Sequence, residues 1–300
     1  MDDKNMKGRK ADAKTWSAAD AGTISLGGEL TVNRLGFGAM RLTGEGIWGP
    51  PKDRAAAIAV LRRAVDLGVN FIDTADSYGP NVSEELIAEA LTPYPKDLVI
   101  ATKGGWNRPG PNQWTHDASP AHLRQAVEGS LKRLRVDRID VYQLHVPDPV
   151  VPLAASIETL ANMQSEGKIR LVALSNVTVD HIERARKIIP IVSVQNRYSF
   201  ADREWDQVVD YCELNGIAFI PWFPLGAGTV AGRLLDRIAK ARQVKPIQVA
   251  LAWLLKRSPI MLPIPGTSSI AHLEENVQAA SLQLVGNEYL ELTGVTQLAS

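Results

Sequence analysis

At 300 residues, 45% hydrophobic and 22% charged, the chain can bury one sizeable core and still keep a solvated surface, so one large domain is expected. Lysine plus arginine and aspartate plus glutamate both number 33, giving a formal net charge of zero; no overall field attracts nucleic acid or a membrane surface, and neither is an expected partner. The lone Cys212 excludes an internal disulfide, and in the helical stretch Asp202–Gly216 it reads as a small buried hydrophobe.

Residues 1–21 are rich in Asp, Lys and Ala without the apolar core of a signal peptide, and read as a tail ahead of a single domain over 22–300. No run of about 18 apolar residues is present, so no membrane span is expected and a cytoplasmic location follows by default. Thr23–Leu26 and Glu29–Val32, joined by Gly27-Gly28, predict a β-hairpin, because glycine takes the positive φ of a tight turn. Eight short apolar runs then follow, near Leu35–Met40, Phe71–Thr74, Leu98–Thr102, Ile139–Leu144, Leu171–Leu174, Ile191–Val194, Ile217–Trp222 and Ile260–Ile264. Runs of this kind suit strands buried on both faces.

Between them lie amphipathic stretches. Asp53–Gly68 carries Ala57, Val60, Leu61, Ala64 and Val65 on one helical face and ends at Gly68. Ser119-Pro120 opens another helix with an N-cap and a first-turn proline, and Thr178 and Ser269 are placed to cap two more. Strand and helix alternating eight times predict an α/β fold, a (β/α)8 TIM barrel with an N-terminal β-hairpin. Closure rests on the count, since an open doubly wound sheet has similar local signals.

In closed barrels of this type the chemistry sits at the C-terminal ends of the strands. Here the second run ends in Asp73, with Tyr78 five residues on; the third ends in Lys103 and the fourth in His145. Ser175-Asn176, Gln195-Asn196, Trp222 and Gly266-Thr267-Ser268 end the remaining four. A lysine behind the apolar run Val99–Thr102 needs a partner at the barrel mouth, and Asp73 is available.

Phe71-Ile-Asp-Thr-Ala-Asp-Ser-Tyr-Gly79, Ala101-Thr-Lys-Gly104, Tyr142-Gln-Leu-His145 and Leu174-Ser-Asn176 resemble, in order, the motifs of the aldo-keto reductases, over about Thr23 to Gln283. The resemblance implies an NAD(P)H-dependent oxidoreductase that reduces an aldehyde or ketone, with Tyr78 as general acid and Lys103, Asp73 and His145 supporting it. Such chemistry is consistent with these residue types: a phenol normally titrates near 10, and a neighbouring ammonium favours its phenolate, so a lowered Tyr78 pKa is expected.

No Gly-x-Gly-x-x-Gly fingerprint opens a βαβ unit, so a dinucleotide must be held otherwise. By the resemblance, Gly38, Ala39 and Met40 flank it, Ser175, Asn176 and Gln195 bind the carboxamide, Trp222 stacks on the nicotinamide, and Phe223, Pro224, Leu225 and Gly226 line the pyrophosphate. The adenosine end falls to Gly266, Thr267, Ser268, His272, Glu275 and Asn276. Many NADPH-preferring members have Lys at the place of Gly266 and Arg at the place of His272, so two cations are missing; NADP(H) is still favoured over NAD(H), because Thr267, Ser268 and a helix start can bind a phosphate.

Trp48, Trp106 and Trp114 fall in the mouth loops and imply an aromatic-lined substrate pocket for a small carbonyl compound. Gly46-Ile-Trp-Gly-Pro-Pro-Lys-Asp53 resembles bacterial members that reduce pyridoxal. His116, His122, His181 and His272 lack metal-ligand spacing, so no metal is expected. Two other readings stay open: a Schiff-base lyase or aldolase using Lys103 as nucleophile, and a slow-turnover redox sensor that holds the cofactor. No oligomeric state is specified by the pattern.

Overall fold

The computed structural model describes residues 16–225 and 233–297. Its first elements are strands β1 (Thr23–Leu26) and β2 (Leu30–Asn33), an antiparallel pair in which Leu26 faces Leu30. Gly27 and Gly28 both have positive φ, 61° and 74°, and Glu29 N–H donates to the Leu26 carbonyl, so the loop has three residues and the second strand starts one residue later than expected.

Beyond the hairpin come β3 (Phe37–Gly38), β4 (Phe71–Asp73), β5 (Val99–Gly104), a small hairpin of β6 (Trp106–Asn107) and β7 (Thr115–His116), then β8 (Ile139–Leu144), β9 (Ile169–Ser175), β10 (Ile191–Arg197) and β11 (Ala218–Trp222). Seven of these form one parallel sheet in the order β11-β10-β9-β8-β5-β4-β3. The eighth run does not form a laddered strand. Pro263 and Pro265 have no N–H to donate, and the segment is tied by a bridge between Phe219 and Met261. Even so it reaches both edges: Leu262 N–H donates to Phe219 O at 2.9 Å, and Gly36 N–H donates to Pro263 O at 2.9 Å. The sheet is thereby closed as an α/β barrel.

Alternation along each strand sorts the two faces. Val99 and Ala101, Val141, Leu171 and Ala173, Ala218 and Ile220, and Leu262 and Ile264 share one buried cluster inside the barrel, which Leu26 and Val32 of the hairpin join. Outward residues such as Tyr142, Leu144, Val172 and Leu174 pack on the helices. These include α1 (Arg54–Asp66), α2 (Val82–Leu91), α3 (Pro120–Leu134), α4 (Leu153–Ser165), α5 (Val179–Arg186), α6 (Asp206–Leu214), α7 (Arg233–Arg242), α8 (Pro246–Arg257), α9 (Ile270–Gln278) and α10 (Gly286–Gln297).

Helix starts follow local chemistry. Asp53, Ser119, Thr178 and Ser269 each accept a first-turn backbone N–H through the side chain. Cys212 is fully buried in α6, and burial pushes its thiol up to about 12. Residues 1–15 of the expected tail lie outside the described residues, but Trp16 to Ala21 are packed rather than trailing. Ser17 and Asp20 form a capping box, and Ala18 N–H donates to Leu67 O at 2.9 Å. Among the described residues no helix is long and apolar enough to cross a membrane.

Candidate active site

The inward face that carries Val99 and Ala101 continues to Lys103, and the other strands continue to Asp73, Gln143, Gln195, Ser175 and Trp222 in the same way. Period-two alternation therefore delivers the polar strand ends to one mouth. Lys103 Nζ lies 2.7 Å from Asp73 Oδ2, 2.8 Å from Thr74 O and 3.2 Å from the Tyr78 hydroxyl. All three of its protons thus have acceptors. Asp73 Oδ1 accepts from Gln143 Nε2 and Gln195 Nε2, each at 2.8 Å, so with Lys103 the carboxylate is orientated by side chains from three other strands. Gln143 is a residue that the strand-end reading passed over, since it lies two positions before His145.

Tyr78 is placed by a tight turn after β4: its N–H donates to Ala75 O, and Gly79, at φ 104°, sends the chain on into α2. Its ring meets the His145 ring edge-on with centroids 5.9 Å apart. Ser77 Oγ lies 3.4 Å from His145 Nδ1; a hydroxyl donating there leaves the imidazole proton on Nε2.

Electrostatics differ from the simple expectation at one point. Burial pushes the Tyr78 phenol above its ordinary value, and the pull of Lys103 in the opposite direction is smaller. The phenol is therefore neutral at pH 7, not acidified. Burial alone would lower the Lys103 ammonium, but the Asp73 carboxylate and Tyr78 outweigh it and hold the group charged. His145 is driven well below the usual histidine value by burial, then by the Lys103 and Arg108 cations, and is a neutral ring.

Above this floor lies a cavity of about 560 Å³. Gly38, Met40, Ser175, Asn176, Gln195, Trp222, Phe223, Pro224, Leu225 and Gly266 all line it, as do Trp106 and Trp114. Asn176, at φ 57°, donates through Nδ2 to His145 O and accepts from Trp222 Nε1 at 3.0 Å. Gly38 and Gly266 make a close backbone passage: a Cβ on Gly266 would stand 2.4 Å from Gly38 O. Thr267 and Ser268 line an adjoining polar groove.

Other expected residues are placed differently. Ala39 is buried and lines neither space. His272, Glu275 and Asn276 sit on α9 outside both; Asn276 is nonetheless buried with its Oδ1 unpartnered among the described residues. Gly226 lies outside the described residues. Trp48 does not line the main cavity, and Ile47 does. Ile47, Arg41 and Arg108 were not singled out by sequence reasoning, because no motif or strand end marks them. Among the described residues no cluster of His, Cys, Asp and Glu is arranged to hold a metal ion.

A buried acidic group lies behind the four-residue cluster. Glu84 accepts from Thr102 Oγ1 and from Arg133 Nε, both at 2.6 Å. Asp76 is pushed up to about 8 by burial and by the Glu84 charge, against the pull of Arg133.

A nicotinamide cofactor fits these residues: amide groups, an indole and a glycine-lined passage border one cavity over a neutral phenol and a fixed ammonium. Comparison with known proteins agrees. The model of the aldo/keto reductase family matches residues 34–296. An uncharacterized oxidoreductase of Schizosaccharomyces pombe is 52% identical over 286 residues, 95% of this chain and 93% of the relative. Pyridoxine 4-dehydrogenase of Escherichia coli is 47% identical over 277 residues, 90% of this chain and 97% of the relative. The structure of an aldo/keto reductase from Klebsiella pneumoniae in complex with NADP and acetate superposes with a TM-score of 0.78 at 27% identity, covering 91% of this chain and 95% of the other. The chain belongs to the aldo/keto reductase family and is an oxidoreductase.

Proposed function

We propose that this protein reduces an aldehyde or ketone to an alcohol, with Tyr78 as the proton donor. The observation that carries the reading is the buried contact chain from Asp73 through Lys103, 2.7 Å away, to the Tyr78 hydroxyl at 3.2 Å. When bound, a reduced nicotinamide supplies the hydride. Ser175, Asn176 and Gln195 would hold its carboxamide and Trp222 its ring face.

The neutral phenol donates its proton to the carbonyl oxygen, and Lys103 stabilises the phenolate left behind, because the buried ammonium stands against it. With Ser77 Oγ donating to Nδ1, the neutral His145 ring carries its proton on Nε2 and orients the same oxygen. The charged state of Lys103 favours this role over a Schiff-base nucleophile, which requires a free amine.

For the cofactor we favour NADP(H) over NAD(H). The Klebsiella structure in complex with NADP supports this choice, as do Thr267 and Ser268 beside the start of α9. For the substrate, the Trp106 and Trp114 walls and the Escherichia coli relative named pyridoxine 4-dehydrogenase favour a flat aromatic aldehyde of the pyridoxal kind.

The test is Tyr78→Phe. Aldehyde reduction should fall by about 10²-fold or more, while NADPH binding, followed by its fluorescence, stays within about twofold of the parent. Undiminished reduction would remove Tyr78 from the chemistry.

A further inference from the structure

The loop cluster at the barrel mouth contains a cation with no carboxylate partner among the described residues. Arg108 lies between β6 and β7, and forms no ion pair with a described residue. Its donors instead go to backbone carbonyls: Nε to Gln113 at 2.9 Å, Nη1 to Ile47 at 3.1 Å and Ser77 at 2.8 Å, and Nη2 to Gly46 at 3.0 Å. These acceptors belong to three loops, those after β3, after β4 and within the β6–β7 hairpin. The guanidinium carbon also sits 3.7 Å from the centre of the Trp114 ring and 5.7 Å from that of Trp48.

Two acceptors mark what this arrangement holds. Ile47 has φ 56°, a left-handed conformation that a β-branched residue adopts only where surroundings impose it. Its side chain lines the cavity, and its carbonyl takes Arg108 and the Gly79 N–H. Ser77 precedes Tyr78, and its hydroxyl lies against His145. One planar fork thus ties the strained Ile47 wall, the Trp114 wall and the turn bearing the proton donor into a single unit.

We propose that Arg108 is the positioning residue that fixes the width of the substrate cavity and thereby selects flat aromatic carbonyl compounds over small aliphatic ones. This inference rests on the reductase reading for its substrate class, but not for its structural content. A lysine could not replace the guanidinium, since an ammonium offers three donors from one point and no plane to lay on an indole. Selection follows because a flat ring gains contact only when Ile47 and Trp114 stand at a fixed separation, whereas a small aldehyde needs only the floor.

The experiment compares Arg108→Met and Arg108→Lys with the parent, using pyridoxal and propanal as substrates. For Arg108→Met, KM for pyridoxal should rise about tenfold or more, the scale of a disturbed hydrophobic pocket, while KM for propanal and both kcat values move less than about threefold. Arg108→Lys should keep most of the same defect. Equal losses on the two aldehydes, or no change on either, would overturn the proposal.

Amide hydrogen exchange supplies a readout independent of turnover. Residues 44–49 and 110–116 should exchange faster in either variant while the β5 and β8 strands stay as protected as in the parent. If the parent reduces neither aldehyde with NADPH or NADH, the reductase reading fails and the exchange result alone decides the role of Arg108. Unchanged protection of both loops would then refute it; should the methionine variant not fold, the lysine variant is read in its place.

Discussion

The carboxylate of Asp73 holds the ammonium of Lys103 at 2.7 Å, with both side chains buried. Neither charge is tenable there alone, because a buried ion without its partner carries several kcal/mol of uncompensated desolvation. In Asp73→Asn the amide keeps the shape and removes the charge. Stability should fall by about 3–5 kcal/mol, the usual cost of breaking a buried pair, and kcat by about 10²-fold or more. The Lys103 pKa is raised in the folded protein, so its contribution is complete below about 10.5 and is lost only as pH rises through the folded value. The parent is therefore flat between pH 6 and 9, whereas in the variant burial lowers the unpaired ammonium, so the deficit should shrink as pH rises, as urea unfolding will read; a deficit equal at every pH would mean that the ammonium needs no carboxylate partner.

Replacing Asp76 should have the opposite effect on stability. Burial and the Glu84 charge raise its carboxyl from 3.8 to about 8, so the folded chain keeps a proton that the unfolded chain releases. Stability is then highest below the unfolded value, falls as pH rises from about 4 to 8, and is flat above. Asp76→Asn should be the more stable protein at pH 8 by a few kcal/mol, on the order of one pKa unit per 1.4 kcal/mol, and the advantage should shrink toward pH 4. Thermal unfolding of both proteins across that range checks the slope. A variant equally destabilised at every pH would mean that Asp76 is ionised in the fold.

The cofactor preference can be moved from the first turn of α9. His272 is exposed there, one turn after the Ser269 cap and close in sequence to Thr267 and Ser268. In His272→Arg, a guanidinium facing a 2′-phosphate should raise the NADPH to NADH affinity ratio by about tenfold, less than a buried charged contact because solvent screens it. Fluorescence titration of each nucleotide gives the ratio directly. No change would locate the phosphate away from this helix start.

Much of this site is legible in the chain because alternation is a strong signal. Once Val99 and Ala101 are read as inward, Lys103 follows on the same face, and Asp73, Ser175 and Trp222 follow by the same rule. The eighth strand is misread for a reason also present in the sequence: Pro263 and Pro265 interrupt the donors that a ladder needs. The lowered phenol pKa fails for a quantitative reason, since burial of Tyr78 outweighs the nearby ammonium. Arg108 leaves no local trace, because its acceptors are backbone carbonyls from as far back as Gly46, and carbonyls are carried by every residue. Ile47 lines the cavity where Trp48 is expected, because nothing in a β-branched residue announces a positive φ.

Gly104 directly follows Lys103, and any side chain there would run into the Tyr142 hydroxyl and meet Ala126 Cβ at 3.0 Å. The obstacle is the tip of a rigid, fully buried ring rather than the end of a flexible side chain. Gly104→Ala should therefore cost about 1–3 kcal/mol, as overpacking does, and should displace Lys103 from Tyr78, so that kcat falls while NADPH affinity is held. The Tyr142 hydroxyl has no hydrogen-bond partner among the described residues, and burying an unsatisfied hydroxyl costs about 1–3 kcal/mol. Tyr142→Phe alone should thus leave stability equal to or above that of the parent. Combined with Gly104→Ala it removes the clashing oxygen, and the double variant should recover both stability and kcat beyond the sum of the single effects. Urea unfolding and steady-state kinetics on the four proteins measure that coupling. Strictly additive losses would show that the Tyr142 hydroxyl is not what excludes a side chain at Gly104.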